Sequence, residues 1–112
     1  MAARSEAQRL TRAFDDMLRP HDLTINQFSM LARLILAGAT PISQLAAALG
    51  IDRTTMTRNV TRSEKRGLVH AVPGKDGRER LIEITAAGRT LADAALPAWD
   101  LAQQNALSAS AG

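Results

Sequence analysis

The sequence contains no cysteine. Disulfides, zinc–thiolate sites and thiol-based redox sensing are thereby excluded, and the composition fits an intracellular protein. Aromatic side chains are nearly as scarce: Phe14, Phe28 and Trp99 are the whole set, so a core must be assembled from Ala, Leu and Ile. No apolar run approaches the length needed to span a bilayer. The N-terminal MAARSEAQRLTRAF alternates charge with small apolar side chains, where a secretory leader has an unbroken apolar stretch. A soluble, cytoplasmic protein is expected. The 112 residues suffice for a single domain (1–112), and no repeat or low-complexity linker divides them.

The constellations that carry catalysis are missing as well. His21 and His70 lack metal-ligand spacing, and no serine lies in a nucleophile elbow or phosphate loop. Asp15 and Asp16 are adjacent, so on a helix they diverge and cannot work as an acid/base pair. The reading is therefore no enzyme, no cofactor and no metal, with His21 in a loop and His70 in a strand. What the chain does have is localised charge. Its net charge is +3, yet residues 53 to 80 hold eight Lys or Arg against three Asp or Glu, a local excess of +5. A confined positive face is the electrostatic footprint of a phosphate-binding surface; the alternative is an ordinary solvated face.

Punctuation along the chain predicts helices followed by a hairpin. Leu10, Ala13, Phe14, Met17 and Leu18 recur at three-four spacing, giving an amphipathic helix that stops before Pro20. Thr24 and Gln27 form a capping box for a second helix with Phe28, Leu31, Leu34 and Ile35 on its buried face, closed by Gly38. Thr40 followed by Pro41 reads as an N-cap with proline in the first turn of a short helix that buries Ile42, Leu45, Ala46 and Leu49 and ends at Gly50. After a connection of about three residues, Asp52 caps a helix that runs through Met56 and Val60 to Gly67. Helices joined so tightly must cross steeply, as in a helix-turn-helix.

From Leu68 the pattern becomes strand-like: LVHAV and RLIEI flank the turn formers of PGKDGRE, predicting a two-stranded hairpin with a charged tip. Thr85 caps a last helix in which Pro97 should kink or interrupt the ladder, and SASAG should fray. The fold class expected is mainly α with a small β-hairpin wing.

A helix fits the major groove, and residues 53 to 62 supply what such a helix needs. Arg53, Thr54, Thr57, Arg58, Thr61 and Arg62 fall on the outward side, whereas Met56 and Val60 turn inward. Threonine fills helices poorly, so its density here needs a reason. Thr hydroxyls can bond phosphates or bases, and Arg58 is placed for a bidentate contact with guanine; alternatively, Thr54 and Thr55 assist the cap. Asn59 either reads adenine or bonds within the protein, the second reading being favoured. Lys75, Arg78 and Arg80 surround two glycines in the turn. Asp76 is expected to stiffen that tip by pairing with Arg78, unless Arg78 enters a minor groove instead.

Over residues 8 to 100 the chain resembles the MarR family of winged helix-turn-helix transcription regulators. The resemblance rests on LTINQFSMLARL, on ISQLAAALGIDRTTMTRNVTRSEKRGLV and on GKDGRERLIEITAAGRTL with its D-x-R signature at Asp76-Gly77-Arg78. It implies a DNA-binding lobe over 20–85 and dimerisation helices over 1–19 and 86–108. A homodimer would place recognition helix 53–66 in the major groove and wing 73–80 at the minor groove of a pseudo-palindromic operator. Matched residue by residue, Arg53, Thr54, Thr55, Thr57, Arg58 and Arg62 fall on recognition-helix positions. Ser43 and Gln44 fall on the supporting helix, and Arg78 on the wing tip beside Lys75.

Ser63 stands where the family buries a Leu, a loss on the order of 2 kcal/mol of burial. Relatives typically continue for roughly another helix, so dimerisation is expected to rest on the first helix and the helix from Thr85. Many relatives are repressors released by small aromatic effectors, which implies repression of that kind here. Two rival functions remain: a winged-helix dimerisation module that has lost specific DNA binding, and nonspecific nucleic-acid binding.

Overall fold

The structure is a computed structural model that describes residues 2–111, with side-chain surroundings described for residues 8–108. Five helices and three short strands follow the order α1 (Ala2–Leu18), α2 (Ile25–Ala37), β1 (Thr40–Pro41), α3 (Ile42–Leu49), α4 (Arg53–Lys65), β2 (Val69–Pro73), β3 (Arg80–Ile84) and α5 (Ala86–Ala111). His21 lies not in an irregular loop but in a single 3-10 turn, Arg19–His21, between α1 and α2. Pro20 suits the start of such a turn because its missing N–H would be unpaired there anyway.

Several helix boundaries follow from local chemistry. Thr24 Oγ1 accepts the Gln27 N–H at 3.2 Å while Gln27 Oε1 accepts the Thr24 N–H at 2.9 Å, completing the expected capping box. Asp15 Oδ1 accepts the next free donor, the Ile25 N–H, at 2.7 Å. Asp16 faces elsewhere and pairs with Arg19, so the two carboxylates do diverge. Thr85 Oγ1 accepts the Gly88 N–H at 3.0 Å and donates to Gly67 O at 2.6 Å, fastening the start of α5 to the end of α4.

Several further expectations are corrected. Thr40 is not a helix cap: it is buried, its hydroxyl donates to Gly38 O at 2.8 Å, and with Pro41 it forms β1. The hairpin thus belongs to a three-stranded antiparallel sheet of order β1-β3-β2, with Thr40 opposite Ile82 and Pro41 opposite Leu81. Both prolines of the sheet, Pro41 and Pro73, sit on its edge strands, where no ladder partner needs their N–H. Pro97 does not interrupt α5, which continues as one helix from Ala86 through the predicted frayed tail to Ala111; Gly112 lies outside the described residues. Proline removes one i→i−4 bond, but Ala95 and Ala102 on either side of it are buried and hold the helix to its neighbours.

The core lies where α2, α3, α4, β3 and α5 meet. Leu18, Met30, Leu31, Leu45 and Met56 are fully buried, and Leu34 and Ile82 nearly so. Ile42 and Leu49, expected inside, are half-buried beside them. Phe28 stacks on Trp99 with ring centroids 5.8 Å apart, joining α2 to α5. Helix α1 packs along α5, yet Leu10 on α1 and Leu96, Leu101 and Leu107 on α5 remain 44–63% exposed. Part of the expected apolar face of α1 is therefore uncovered within one chain: Leu10 and Ala13 are exposed and Phe14 and Met17 half-buried, while Leu18 is fully buried.

Candidate nucleic-acid interface

The geometry of α4 begins at Gly50. Its φ of +65° lies in the left-handed region that a glycine enters without a Cβ penalty, and its N–H caps α3 on Ala46 O and Ala47 O. The chain reverses there, and three residues later α4 starts. Asp52 closes the first turn of α4: Oδ2 accepts the Thr55 N–H at 2.9 Å, and Oδ1 accepts the Thr55 hydroxyl at 2.6 Å. Those bonds, the hydroxyl first and the backbone N–H second, hold the Asp52 carboxyl below its ordinary value.

Burial separates the two sides of α4. Met56, Asn59, Val60 and Ser63 face the protein. Arg53, Thr54, Thr57, Arg58, Thr61 and Arg62 are exposed, and Arg53, Thr54, Thr57 and Arg58 line one shallow surface depression. Among the described residues, no ion pair or side-chain hydrogen bond engages Arg53, Arg58 or Arg62. Ser43 and Gln44 are exposed on α3.

The threonine density resolves into separate causes. Thr55 is half-buried and tied up in the cap, so its place among groove-facing residues is better explained by helix initiation. Thr61 Oγ1 donates to Thr57 O at 2.9 Å, the backbone return typical of a threonine inside a helix. That leaves Thr54 and Thr57 with hydroxyls on the open face. Asn59 is buried and its Nδ2 donates to Asn26 O at 3.2 Å, so it bonds within the protein and is not available to a base edge. Ser63, only 1% exposed, occupies the inward position anticipated for it.

The wing is the β2–β3 hairpin, in register from Val69 opposite Ile84 to Pro73 opposite Arg80. His70 lies in β2 directly opposite Glu83, and their side chains meet at 2.7 Å. At the tip, Gly74 N–H donates to Glu79 O at 2.6 Å and Gly77 N–H to Gly74 O at 3.0 Å. Asp76 bonds within this turn through backbone: its Oδ1 accepts the Arg78 N–H at 3.0 Å. No ion pair with the Arg78 guanidinium forms among the described residues, and Lys75, Arg78 and Arg80 are all exposed. The Arg66 guanidinium donates to Asp22 O at 2.6 Å across 44 positions of chain, a contact that carries no local sequence signal.

Comparison with known proteins places this geometry. No helix among the described residues is long and apolar enough to cross a membrane. The uncharacterized HTH-type transcriptional regulator YwoH of Bacillus subtilis is 29% identical over 79 residues, which are 70% of this chain and 58% of YwoH. The chain thus spans somewhat more than half the length of that relative. The crystal structure of the Mycobacterium tuberculosis transcriptional regulator MosR is similar with a TM-score of 0.87 and 37% identity, covering 96% of this chain and 78% of MosR. MosR in complex with DNA gives a TM-score of 0.85 and 40% identity over 96% of this chain and 78% of that one. CouR from Rhodococcus jostii RHA1, bound to p-coumaroyl-CoA, gives 0.80 and 26% over 90% and 72%. The model of the MarR family matches residues 21–79. With more than half its length matched by that model and a winged-helix fold shared with MosR, the chain belongs to the MarR family of transcriptional regulators.

Proposed function

We propose that the protein is a cytoplasmic, sequence-specific DNA-binding repressor that acts as a homodimer on a pseudo-palindromic operator. The lobe over 20–85 carries the DNA contacts, and residues 1–19 and 86–108 dimerise. The observation that carries this reading is the exposed face of α4, where Arg53, Thr54, Thr57, Arg58 and Arg62 are uncovered while Met56 and Val60 anchor the opposite side. A helix so divided enters the major groove with its polar face toward the bases, Arg58 reading a guanine edge and Thr54 and Thr57 meeting phosphate or a thymine methyl. Ser43 and Gln44 brace the backbone from α3. Lys75 and Arg78 bring positive charge to the adjoining minor groove, with Asp76 holding the tip in shape.

The uncovered leucines of α1 and α5 support the dimer, since they lie on two helices that pack along each other and a symmetric second copy would cover both. Release by a small aromatic effector is proposed from the family resemblance and from CouR, which is structurally similar and bound to p-coumaroyl-CoA. The effector favours a dimer whose reading helices no longer match successive grooves.

Binding to a selected palindrome, compared with the same duplex after one half-site is scrambled, tests the reading at fixed salt. The expected result is a footprint over both half-sites and a loss of roughly 4 kcal/mol or more on the scrambled site. Equal affinity for the two duplexes would defeat sequence-specific regulation and leave nonspecific binding; absence of any protected site would leave the dimerisation module.

A further inference from the structure

Helix α4 is seated differently on its two inward sides. Met56 and Val60 bury apolar side chains in the core. The residues at 59, 63 and 66, spaced by four and three and so on one face, are Asn, Ser and Arg. This strip meets the corner between α1 and α2. Asn59 Nδ2 reaches Asn26 O at 3.2 Å, while its Oδ1 is buried with no partner among the described residues. At the far end, Arg66 Nη1 donates to Asp22 O at 2.6 Å, and Nη2 stands 3.6 Å from Asp22 Oδ2.

Asp22 is built to present that carbonyl. Among the described residues it is the one non-glycine with positive φ, at +56°. Its N–H is fixed on Arg19 O at 2.8 Å and the next N–H, of Leu23, on Leu18 O at 3.4 Å. A residue held in this region is maintained by its surroundings. The carbonyl therefore belongs, mechanically, to the end of α1, which packs along α5.

We infer that Arg66 is a positioning residue for DNA reading: it fixes the C-terminal end of α4 to the end of α1 and thereby sets the separation of the two reading helices. The inference rests on the palindrome reading above. An apolar seat is non-directional and tolerates small rotations, whereas a charged planar donor on a fixed carbonyl does not. The lever is long enough to matter. Thirteen residues of α4 measure about 20 Å, so a tilt of about 10° about the Asp52 cap moves the far end by about 3 Å and Arg58 by about 1.5 Å, roughly half of one base-pair step.

Absence of native cysteine allows clean labelling. Nitroxides on Arg12→Cys and Thr61→Cys, both exposed positions, report the distance from α1 to α4 within one chain when the labelled protein is diluted with unlabelled protein. Arg66→Ala should broaden that distribution or displace it by about 2 Å or more, with circular dichroism unchanged. Arg66→Lys should fall between. Asp22→Asn keeps the carbonyl and tolerates the left-handed backbone, so it should match the parent.

On palindromes with the spacer changed by one base pair, the parent should prefer one spacing by about tenfold, and Arg66→Ala should shrink that preference below about threefold while leaving isolated half-site affinity and salt dependence alone. An unchanged distance distribution in Arg66→Ala overturns the inference. So does equal weakening on half-site and full site with a shallower salt slope, which marks a phosphate contact. If the parent itself shows no spacing preference, the palindrome reading fails, and the label distances still decide whether Arg66 positions α4.

Discussion

Gly88→Ala should destabilise this protein, against the usual direction for a helical glycine. In a helix interior alanine is favoured over glycine by about 1 kcal/mol, and Gly88 is the third residue of α5. Yet a Cβ built there would stand 2.1 Å from Leu68 O, 2.8 Å from Ile84 Cγ1 and 3.0 Å from Leu68 C. Two of those three atoms are backbone, so rotamer changes cannot relieve the contact. Restoring ordinary van der Waals separation requires the first turn of α5 to move away from the Leu68 backbone by more than 1 Å, judged against a carbon–carbon optimum of about 3.5–4.0 Å. That shift would strain the Thr85 hydroxyl bonds to Gly67 O and from Gly88 N–H, which meet at the same corner.

Overpacking of this kind costs about 1–3 kcal/mol, and the displaced bonds add about 1 kcal/mol each. Set against a propensity gain of about 1 kcal/mol, the net change should be a loss of about 2 kcal/mol or more. For a chain of this length the melting temperature should fall by about 8 °C or more. Urea and thermal unfolding of Gly88→Ala and the parent, at one protein concentration because association shifts apparent stability, measure it. A melting temperature equal to or above the parent's would refute the packing argument, since helix propensity alone would then govern the site.

Two further perturbations test the reading helix. The Asp52 carboxyl is held below its ordinary value of 3.8 by Thr55, so its stabilisation of α4 is complete above the unfolded value and is lost as pH falls through the lower, folded one. Asp52→Asn, which keeps a capping acceptor that does not titrate in this range, should therefore show a smaller acid-driven drop in urea midpoint between about pH 5 and pH 2.5; an identical drop would remove Asp52 from the acid response. Arg58→Ala should lose about 1 to 3 kcal/mol on the operator and little on random duplex in titrations at one salt concentration. Uniform weakening on both would make Arg58 a phosphate contact.

What could be read from sequence was local chemistry. The box at Thr24 and Gln27, the Asp52 cap, the left-handed turn at Gly50 and the Thr85 cap each lie within a few residues of their partners. Strand β1 was hidden because two residues carry no periodicity, and Thr40-Pro41 has the same composition as a cap followed by a first-turn proline. Only pairing with Leu81 and Ile82, about 40 positions away in the chain, defines it as a strand. Pro97 misled for the converse reason, a local breaker overruled by packing on both sides.

In the candidate interface, the polar outward face of α4 was legible from the inward pair Met56 and Val60. The division of labour among its threonines was not, because Thr55 and Thr61 are engaged by groups whose positions depend on where the helix starts. Arg66 and Asp22 meet only through the folded corner of α1 and α2.

In the proposed assembly, two copies of this chain hold two reading helices on one operator. Native mass measurement at micromolar concentration, free and with a palindromic duplex, addresses it most directly. The free species should have twice the 12.0 kDa chain mass, and the complex should hold two chains per duplex. A species of one chain mass, binding one chain per duplex with no gain from the second half-site, would contradict it.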